Sequence, residues 1–222
     1  MGQDRAGPFL TVQDLALERG GRLLFSGLSF EIEAGQLVQL EGTNGAGKTS
    51  LMRILAGLSR YGFDGSVQRH RSLLFLGHNP AVKGLLTPRE NLAWHLAGAS
   101  SADSAAIDAA LERVGLYGYE DVLSHTLSAG QHRRVNRARL YLSDCPLWLL
   151  DEPFTAIDRD GVEALETLLE EHVASGGAVI VPSHQVLSRA SAWRRLSLVE
   201  GLWPGVPWCC AGGSSGASWC WR

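Results

Sequence analysis

One stretch of eight residues has the residue types and the spacing that could hold a polyphosphate. Gly42-Thr43-Asn44-Gly45-Ala46-Gly47-Lys48-Thr49 fits the pattern G-x-x-x-x-G-K-[ST], after a predicted strand and at the start of a predicted helix. Backbone N–H groups that no Cβ obstructs can wrap phosphate oxygens, and the helix N-terminus adds partial positive charge. Lys48 would reach the β- and γ-phosphates, and Thr49 would ligate Mg²⁺. The stretch therefore predicts a nucleotide-binding P-loop.

Two carboxylates follow an apolar run further along the chain. Asp151 and Glu152 come directly after the run at 147–150. A carboxylate at the carboxyl end of a buried strand can hold Mg²⁺, directly or through water, and Asp151 has that place. Glu152 suits a general base that polarises an attacking water. Alone, such a pair is most often a solvated strand end, but downstream of a P-loop it predicts nucleotide hydrolysis.

A third polar segment, Leu127-Ser128-Ala129-Gly130-Gln131, precedes a predicted helix. A serine hydroxyl, a glycine N–H and a helix N-terminus together make an anion site. By itself the segment is more often only a helix cap. Its place about 20 residues before the strand that leads to Asp151 favours a second phosphate contact.

The elements that must position these residues alternate between strands and helices. Apolar or alternating runs predict strands at 11–17, 28–32, 37–40, 73–76, 146–150 and 178–181. Helical spacing predicts helices at 48–58, 102–114, 131–142 and 162–173, the middle two within a helical block at about 86–142. Apolar strands alternating with helices predict a mainly parallel sheet with an inserted helical block.

Composition excludes several other classes of protein. The chain has 222 residues, 45% hydrophobic and 19% charged, which is typical of a globular protein. A net charge of −3 argues against a dedicated nucleic-acid binder. No apolar run approaches a membrane span, and the first ten residues lack a secretory signal, so we expect a cytosolic chain. Cys145, which heads an apolar run, is predicted to be buried.

The composition changes at about Gly201. The segment 201–222 contains four tryptophans, three cysteines and a Gly/Ser run, without helical or strand periodicity. We therefore predict a nucleotide-binding domain at 1–200, with its helical subdomain at about 86–142. The remaining 201–222 is predicted to be an atypical, disordered tail.

Taken in order, the P-loop, the helical block, the Leu-Ser-x-Gly-Gln segment and Asp151-Glu152-Pro153 resemble the nucleotide-binding subunit of ABC transporters. The segment 154–158 resembles the family's D-loop, and His184 lies where the family has its switch histidine. The closer resemblance is to the cytochrome c biogenesis ABC ATPases of the heme-exporter type, over about residues 11–199. The segments that carry it are 24–30, 37–44, 76–80, 86–92, 152–158 and His184-Gln185.

The resemblance implies an α/β P-loop NTPase of ABC type, with a mainly parallel sheet core, a small antiparallel β subdomain and an inserted helical subdomain. It implies an ATPase that couples ATP hydrolysis to transport for c-type cytochrome biogenesis, with Glu152, His184 and Lys48 as catalytic residues. Mg²⁺ would be held by Thr49, Asp151 and Asn79. The implied ATP-binding residues are Gly42, Thr43, Asn44, Gly45, Ala46, Gly47, Lys48, Thr49, Ser50, Ser128, Gly130, Gln131 and Asp158.

Two positions depart from the family pattern. Where the Q-loop normally has a glutamine, this chain has His78-Asn79. Asn79 keeps the amide on a side chain one methylene shorter, or His78 fills the role instead. The aromatic residue that stacks on adenine is replaced by Arg19, whose guanidinium could stack or simply be solvated.

The chain has one P-loop and one Leu127-Ser128-Ala129-Gly130-Gln131 segment, here called the signature segment. The resemblance therefore implies a head-to-tail dimer, with ATP between Lys48 of one copy and Ser128 of the other. The resemblance further implies a membrane-spanning subunit of the cytochrome c maturation system as partner. The chain would then be peripheral, on the cytoplasmic face of the inner (plasma) membrane, without nucleic acid.

Three alternatives remain open at this point. The chain could serve an ABC transporter for another substrate. It could be a soluble ABC ATPase acting on nucleic acid or ribosomes, for which the best support is the basic cluster Arg133, Arg134, Arg137 and Arg139. We interpret that cluster as an exposed helix face with some charge near the phosphates. A module that binds nucleotide but hydrolyses it poorly is suggested by Asn79 and the missing aromatic, and opposed by Glu152 and His184.

Overall fold

A computed structural model describes residues 7–96, 103–155, 157–182 and 193–198. The chain divides into two compact units. The first, here called the sheet unit, comprises 1–75, 145–151 and 166–222. The second, the helical unit, comprises 76–144 and 152–165. Each unit has its own apolar core, so each is described by itself.

An antiparallel sheet of three strands begins the sheet unit. Its strands are β1 (Leu10–Arg19), β2 (Arg22–Ile32) and β4 (Asp64–Arg69), in the order β2-β1-β4. Gly20 and Gly21 connect β1 to β2 with φ of +61° and +74°. Two successive positive φ values are what a tight two-residue hairpin requires, and glycine adopts them without strain.

A five-stranded sheet supplies the second layer. Its strands are β3 (Leu37–Glu41), β5 (Leu73–Leu76), β6 (Leu147–Leu150), β7 (Ala178–Pro182) and β8 (Trp193–Ser197), in the order β5-β6-β7-β3-β8. The pairs β3–β7, β3–β8 and β6–β7 are parallel. Every residue of β6 and β7 is buried, which accounts for their unbroken apolar sequences. The α/β fold with a parallel core and a small antiparallel sheet is thus confirmed.

Five α-helices connect or extend the strands in the described part of the chain. They are α1 (Lys48–Leu55), α2 (Pro88–Leu96), α3 (Ser104–Arg113), α4 (Ala129–Ala138) and α5 (Arg159–Ala174). Short 3₁₀ helices lie at Ser124–Thr126 and Arg139–Leu142. Between β5 and β6, the only described regular elements are helical, as predicted for the inserted block.

The two cores differ in size and origin. In the sheet unit, side chains from β1, β2, β3, β6 and α1 form one large cluster. In the helical unit, a smaller cluster joins α2, α3 and α4; its buried members are Leu92, Ile107, Ala110, Leu111, Leu116, Leu127, Val135 and Ala138. Each functional segment therefore rests on the apolar core of its own unit.

All four predicted helices need corrected boundaries, and the one predicted at 162–173 is α5, which begins at Arg159 and ends at Ala174. The helix predicted at 48–58 ends at Leu55, because Gly57 adopts a φ of +76°. The helix predicted at 131–142 begins at Ala129, and its last turn tightens into a 3₁₀ helix. The helix predicted at 102–114 begins at Ser104, because the Asp103 carboxylate accepts a hydrogen bond from the N–H of Ala105 and so forms the cap.

Two strands were not predicted at all. Both β4 and β8 lie at the edge of their sheets, where one side of the strand has no neighbouring strand in the described structure. Such strands carry more polar residues, so the apolar signal is weak. Cys145 is half-buried, so the prediction that it is buried was wrong. The boundary at 200 and the tail 201–222 lie outside the described residues and stay predictions.

Candidate nucleotide site

The predicted P-loop joins β3 to α1 in the sheet unit. Gly45 and Gly47 adopt φ values of +86° and +93°, in the left-handed region that favours glycine. A Cβ placed on Gly47 would lie 3.1 Å from the Phe25 ring, so a larger residue would also crowd the loop. No side chain caps the N-terminus of α1. The loop is therefore a glycine-dependent backbone cradle with a helix N-terminus at its end, which suits phosphate oxygens.

The side chain of Lys48 is held against this loop. Its ammonium group donates hydrogen bonds to the carbonyl oxygens of Gly42 and, at 3.0 Å, Thr43. Both acceptors belong to the cradle itself, so the positive charge lies where a bound phosphate would need it. Of the other predicted loop residues, Asn44 is exposed, Ala46 is buried and Ser50 is half-buried.

The first turn of α1 meets the end of β6. Thr49 Oγ1 lies 3.4 Å from Asp151 Oδ1, although 102 residues separate the two in sequence. Asp151 is buried, with 5% of its surface exposed. A hydroxyl and a carboxylate are oxygen ligands of the kind that Mg²⁺ takes, and Mg²⁺ commonly uses only one or two protein ligands besides phosphates and water. The donor set therefore fits the ion, and the described residues contain no larger cluster that could hold a metal.

The next residue, Glu152, belongs to the helical unit. Its carboxylate oxygen Oε2 lies 3.1 Å from His78 Nδ1 and 3.4 Å from the hydroxyl of Thr155. Of the two Q-loop alternatives, His78 is therefore the residue that contacts Glu152. Asn79, the predicted magnesium ligand, is exposed. The contact between Glu152 and His78 could not be predicted, because 74 residues separate the two in the chain.

The signature segment forms the N-terminus of α4. The Ser128 hydroxyl accepts a hydrogen bond from the N–H of Gln131 at 3.2 Å, and Gln131 Oε1 accepts one from the N–H of Ser128 at 2.8 Å. This reciprocal pair is a capping box, which leaves the backbone of half-buried Gly130 in the first turn. The segment is a helix cap in this structure, the simpler of the two readings of its sequence.

The remaining predicted residues are Asp158, Arg19 and His184. Asp158 Oδ1 accepts a hydrogen bond from the N–H of Gly161 at 2.9 Å, so it caps the start of α5. Arg19 is exposed at the end of β1. His184, the predicted switch histidine, lies outside the described residues, as does Ala156.

The basic cluster is not the exposed helix face that its sequence suggested. None of Arg133, Arg134, Arg137 and Arg139 is exposed. Arg139 is buried, and its guanidinium donates to Asn136 Oδ1 at 2.9 Å and to the carbonyl of Ala81 at 3.2 Å. Burial lowers the pKa of Arg137, and the nearby charge of Arg134 lowers it further. Arg134 also donates a hydrogen bond, to the carbonyl of Gly115 at 3.3 Å, so two of the four cations contact groups of the helical unit itself.

Comparison with known proteins shows the family of the chain. The family model described as ABC transporter matches residues 25–155. The "Cytochrome c biogenesis ATP-binding export protein CcmA" of Yersinia pseudotuberculosis is 50% identical over 193 residues, 82% of this chain and 88% of that protein. The protein of the same name from Pseudomonas syringae pv. syringae is 48% identical over 212 residues, 89% of this chain and 98% of its own length.

Solved structures give the same fold. An ABC transporter ATP-binding protein from Pyrococcus furiosus superposes with a TM-score of 0.70 at 25% identity, over 85% of this chain and 96% of that one. An ATP-binding cassette whose dimer is bound to ADP and Pi gives a TM-score of 0.75 at 20% identity, over 85% and 93%. The latter identity supports the fold alone.

The fold and the P-loop define an ATPase of the ABC class, which binds and hydrolyses ATP. Within that class, the chain belongs to the family of cytochrome c biogenesis ATP-binding export proteins, CcmA. In the described part of the chain, no helix is both long enough and apolar enough to cross a membrane.

Proposed function

We propose that this chain is the ATPase subunit of an ABC transporter that acts in c-type cytochrome biogenesis, with heme as the exported group. The single observation that carries this proposal is an identity near 50% to relatives of that name over most of both chains. The site residues that follow are those that the resemblance to the family implies, and the geometry described above supports some of them. They account for the ATPase activity but do not bear on the cargo.

The glycine loop would bind the phosphates of ATP. Its backbone N–H groups and the α1 N-terminus provide fixed partial charges, and Lys48 neutralises the β- and γ-phosphates. Thr49 and Asp151 would hold Mg²⁺ together with phosphate oxygens, and Asn79 would complete the set from the Q-loop. When bound, the ion would neutralise charge that develops on the transferred phosphoryl group.

Glu152 would act as the general base. Its carboxylate would accept a proton from the water that attacks the γ-phosphate, while the protein holds that water in line. His184 would assist as the switch histidine. The contact between the Glu152 carboxylate and His78 supports a fixed orientation for the base.

Two copies would form the working ATPase. In a head-to-tail dimer, Ser128, Gly130 and Gln131 of one copy would approach the γ-phosphate held by Lys48 of the other, with Asp158 near the same interface. The capping box supports this role, because it leaves a helix N-terminus and a hydroxyl together at the surface of one segment. ATP would close the dimer and hydrolysis would open it.

A membrane-spanning subunit of the cytochrome c maturation system would couple these motions to export. The chain would lie on the cytoplasmic face of the inner membrane as a peripheral subunit. Residues 1–200 would form the nucleotide-binding domain, and the segment 201–222 would lie outside it. The alternative is an ABC transporter for another substrate. The ATPase site would be the same in both cases, so it does not distinguish between them.

Replacement of Glu152 by Gln tests the hydrolysis step. The amide keeps the shape of the side chain but cannot accept the proton, so kcat should fall by at least about 100-fold while ATP still binds. ATP binding is measured by fluorescence titration, and turnover by phosphate release. Unchanged turnover would remove Glu152 from the mechanism.

A complementation test addresses the transport role. In a bacterium that lacks its own cytochrome c biogenesis ATP-binding export protein, the wild-type chain should restore c-type cytochromes with covalently bound heme. The Glu152→Gln chain, expressed at the same level, should not. Restoration by neither chain would count against the biogenesis role and leave the ATPase assignment in place.

A further inference from the structure

The carboxylate of Glu152 contacts a histidine of the helical unit that is distant in sequence. His78 Nδ1 and Glu152 Oε2 are 3.1 Å apart, with side-chain exposures of 54% and 50%. The Thr155 hydroxyl lies 3.4 Å from the same oxygen. Two donors therefore converge on Oε2, which is a more restrictive arrangement than a solvated strand end requires.

The backbone conformation of Glu152 is also unusual. Its φ is +55°, a left-handed value that residues with a side chain rarely adopt. The N–H of Thr155 donates to the Glu152 carbonyl oxygen at 3.3 Å, which closes a turn around this conformation. Strained backbone of this kind is found mostly where a functional side chain must point in one direction.

We propose that His78 is a positioning residue for Glu152. By donating its Nδ1–H to Oε2, His78 fixes the carboxylate so that the second oxygen, Oε1, is presented to the attacking water. Donation requires only that the proton is on Nδ1, so a neutral or a charged ring can do it. The inference rests on the proposed role of Glu152 as general base, and it gives His78 a function distinct from that of the neighbouring Asn79.

The test is a pair of substitutions at one position. His78→Ala removes the donor, whereas His78→Asn places an amide N–H at about the position of Nδ1. In the purified full chain with Mg-ATP, we expect His78→Ala to lower kcat about tenfold, the scale of one hydrogen bond to a charged group, with KM within about twofold. His78→Asn should recover most of kcat.

A matched control separates this effect from the general loss of a histidine. His70 is exposed in the sheet unit, and its ring Nε2 contacts the Thr11 hydroxyl at 3.0 Å. His70→Ala should leave both kcat and KM unchanged. Thermal unfolding of all variants should agree closely, because each removes only exposed side-chain atoms.

A readout without nucleotide tests the contact itself. In the ¹⁵N spectrum of the full chain at about pH 8, the His78 ring should carry its proton on Nδ1, and Glu152→Ala should move it towards Nε2. An identical ring spectrum in both proteins would overturn the proposal. So would wild-type or raised kcat in His78→Ala, or a His78→Asn variant as slow as His78→Ala. If Glu152→Gln keeps full turnover, the general-base role fails first and independently.

Discussion

The two units of the chain hold their functional residues by different means. In the sheet unit, the nucleotide loop depends on backbone conformation: positive φ at Gly45 and Gly47, and strands with an apolar core. In the helical unit, the corresponding segments depend on side-chain hydrogen bonds, such as the capping box of Ser128 and Gln131. The first design gives a rigid cradle, and the second a set of directed polar contacts.

A buried amide shows the second design most clearly. The Asn91 side chain is 3% exposed, and four acceptors lie 3.0–3.3 Å from its amide nitrogen, which shares its two N–H groups among them: the carbonyl oxygens of Lys83, Leu86 and Thr87 and the Ser124 hydroxyl. Its Oδ1 accepts a hydrogen bond from the N–H of Lys83 at 2.8 Å. This one side chain connects the loop before α2 to the 3₁₀ helix before the signature segment. Because the apolar cluster of the helical unit is small, such contacts fix its structure where packing alone would not.

The largest expected effect is a loss of ATP binding in the sheet unit, which stays folded. Lys48→Ala should weaken ATP binding by about 100-fold or more, since a charge facing the phosphates is lost from a preformed cradle. The chain has one other lysine, and Lys83→Ala serves as the control. Fluorescence titration with ATP measures both. Wild-type affinity in Lys48→Ala would contradict the assignment of the P-loop.

Next in size is the loss of apolar packing from the five-stranded sheet. Leu149 is fully buried in β6, and Leu149→Ala should lower the free energy of unfolding by about 2–5 kcal/mol, because a cavity replaces the side chain. Leu58→Ala, at a leucine that is 58% exposed, should cost far less. Urea unfolding of both variants checks this, and equal losses would mean that β6 is less tightly packed than described.

The matching change in the helical unit removes a polar contact. Asn91→Ala should cost about 2–3 kcal/mol, since several buried backbone groups lose their partner at once. Amide hydrogen exchange should accelerate in α2 and α4 but not in β6 and β7. Glu112→Ala, at an exposed position of α3, is the control. Amide exchange that accelerates equally in both units would show that the stability of the sheet unit also depends on the contacts of Asn91.

The same contrast explains what could be predicted from sequence. The strands β6 and β7 came out within one residue, because a strand buried on both faces is a continuous apolar run. The edge strands β4 and β8 gave no such pattern and were missed. Cys145 was wrongly expected to be buried, because it stands just before β6 begins, where burial by the sheet is incomplete.

Site features could be predicted only where their residues are close together in the sequence. The P-loop could be recognised because eight consecutive residues carry its whole geometry, from β3 to the first turn of α1. The contact between His78 and Glu152 could not, because 74 residues separate its partners and neither residue type is unusual at its position. Contacts of that kind need tertiary information, which a single sequence does not hold.

A smaller effect is expected at the signature segment. Ser128→Ala removes the hydroxyl that caps α4, at a cost of about 1 kcal/mol to the helical unit. Ser128→Thr keeps the cap and should restore stability, while its extra methyl group would still hinder a close approach to phosphate. Measuring stability and ATPase activity in both variants therefore separates the cap from the proposed catalytic contact. Equal stability of the alanine and wild-type chains would contradict the cap.

The smallest expected effect concerns His172, a polar side chain packed in the sheet unit. The His172 ring stacks on Trp148, with centroids 3.7 Å apart and planes 8° from parallel, and donates from Nε2 to the Pro146 carbonyl at 3.1 Å. Burial lowers the pKa of His172, and the hydrogen bond to Pro146 opposes this only in part. The folded chain therefore favours the neutral ring more than the unfolded chain does.

The sign of the pH dependence follows from that difference. Between the lowered pKa of the folded state and the usual value near 6.5, the unfolded chain binds more protons, so stability rises with pH in this window. The contribution is complete above about pH 6.5 and is lost as the pH falls through the folded pKa.

His172→Phe keeps a stacked ring without a titrating group, so its free energy of unfolding should fall less than that of the wild type between about pH 7.5 and pH 5. His70→Phe, at an exposed histidine, gives the background for removing a histidine. Parallel pH curves for wild type and His172→Phe, measured by urea unfolding, would mean that burial does not control this ring.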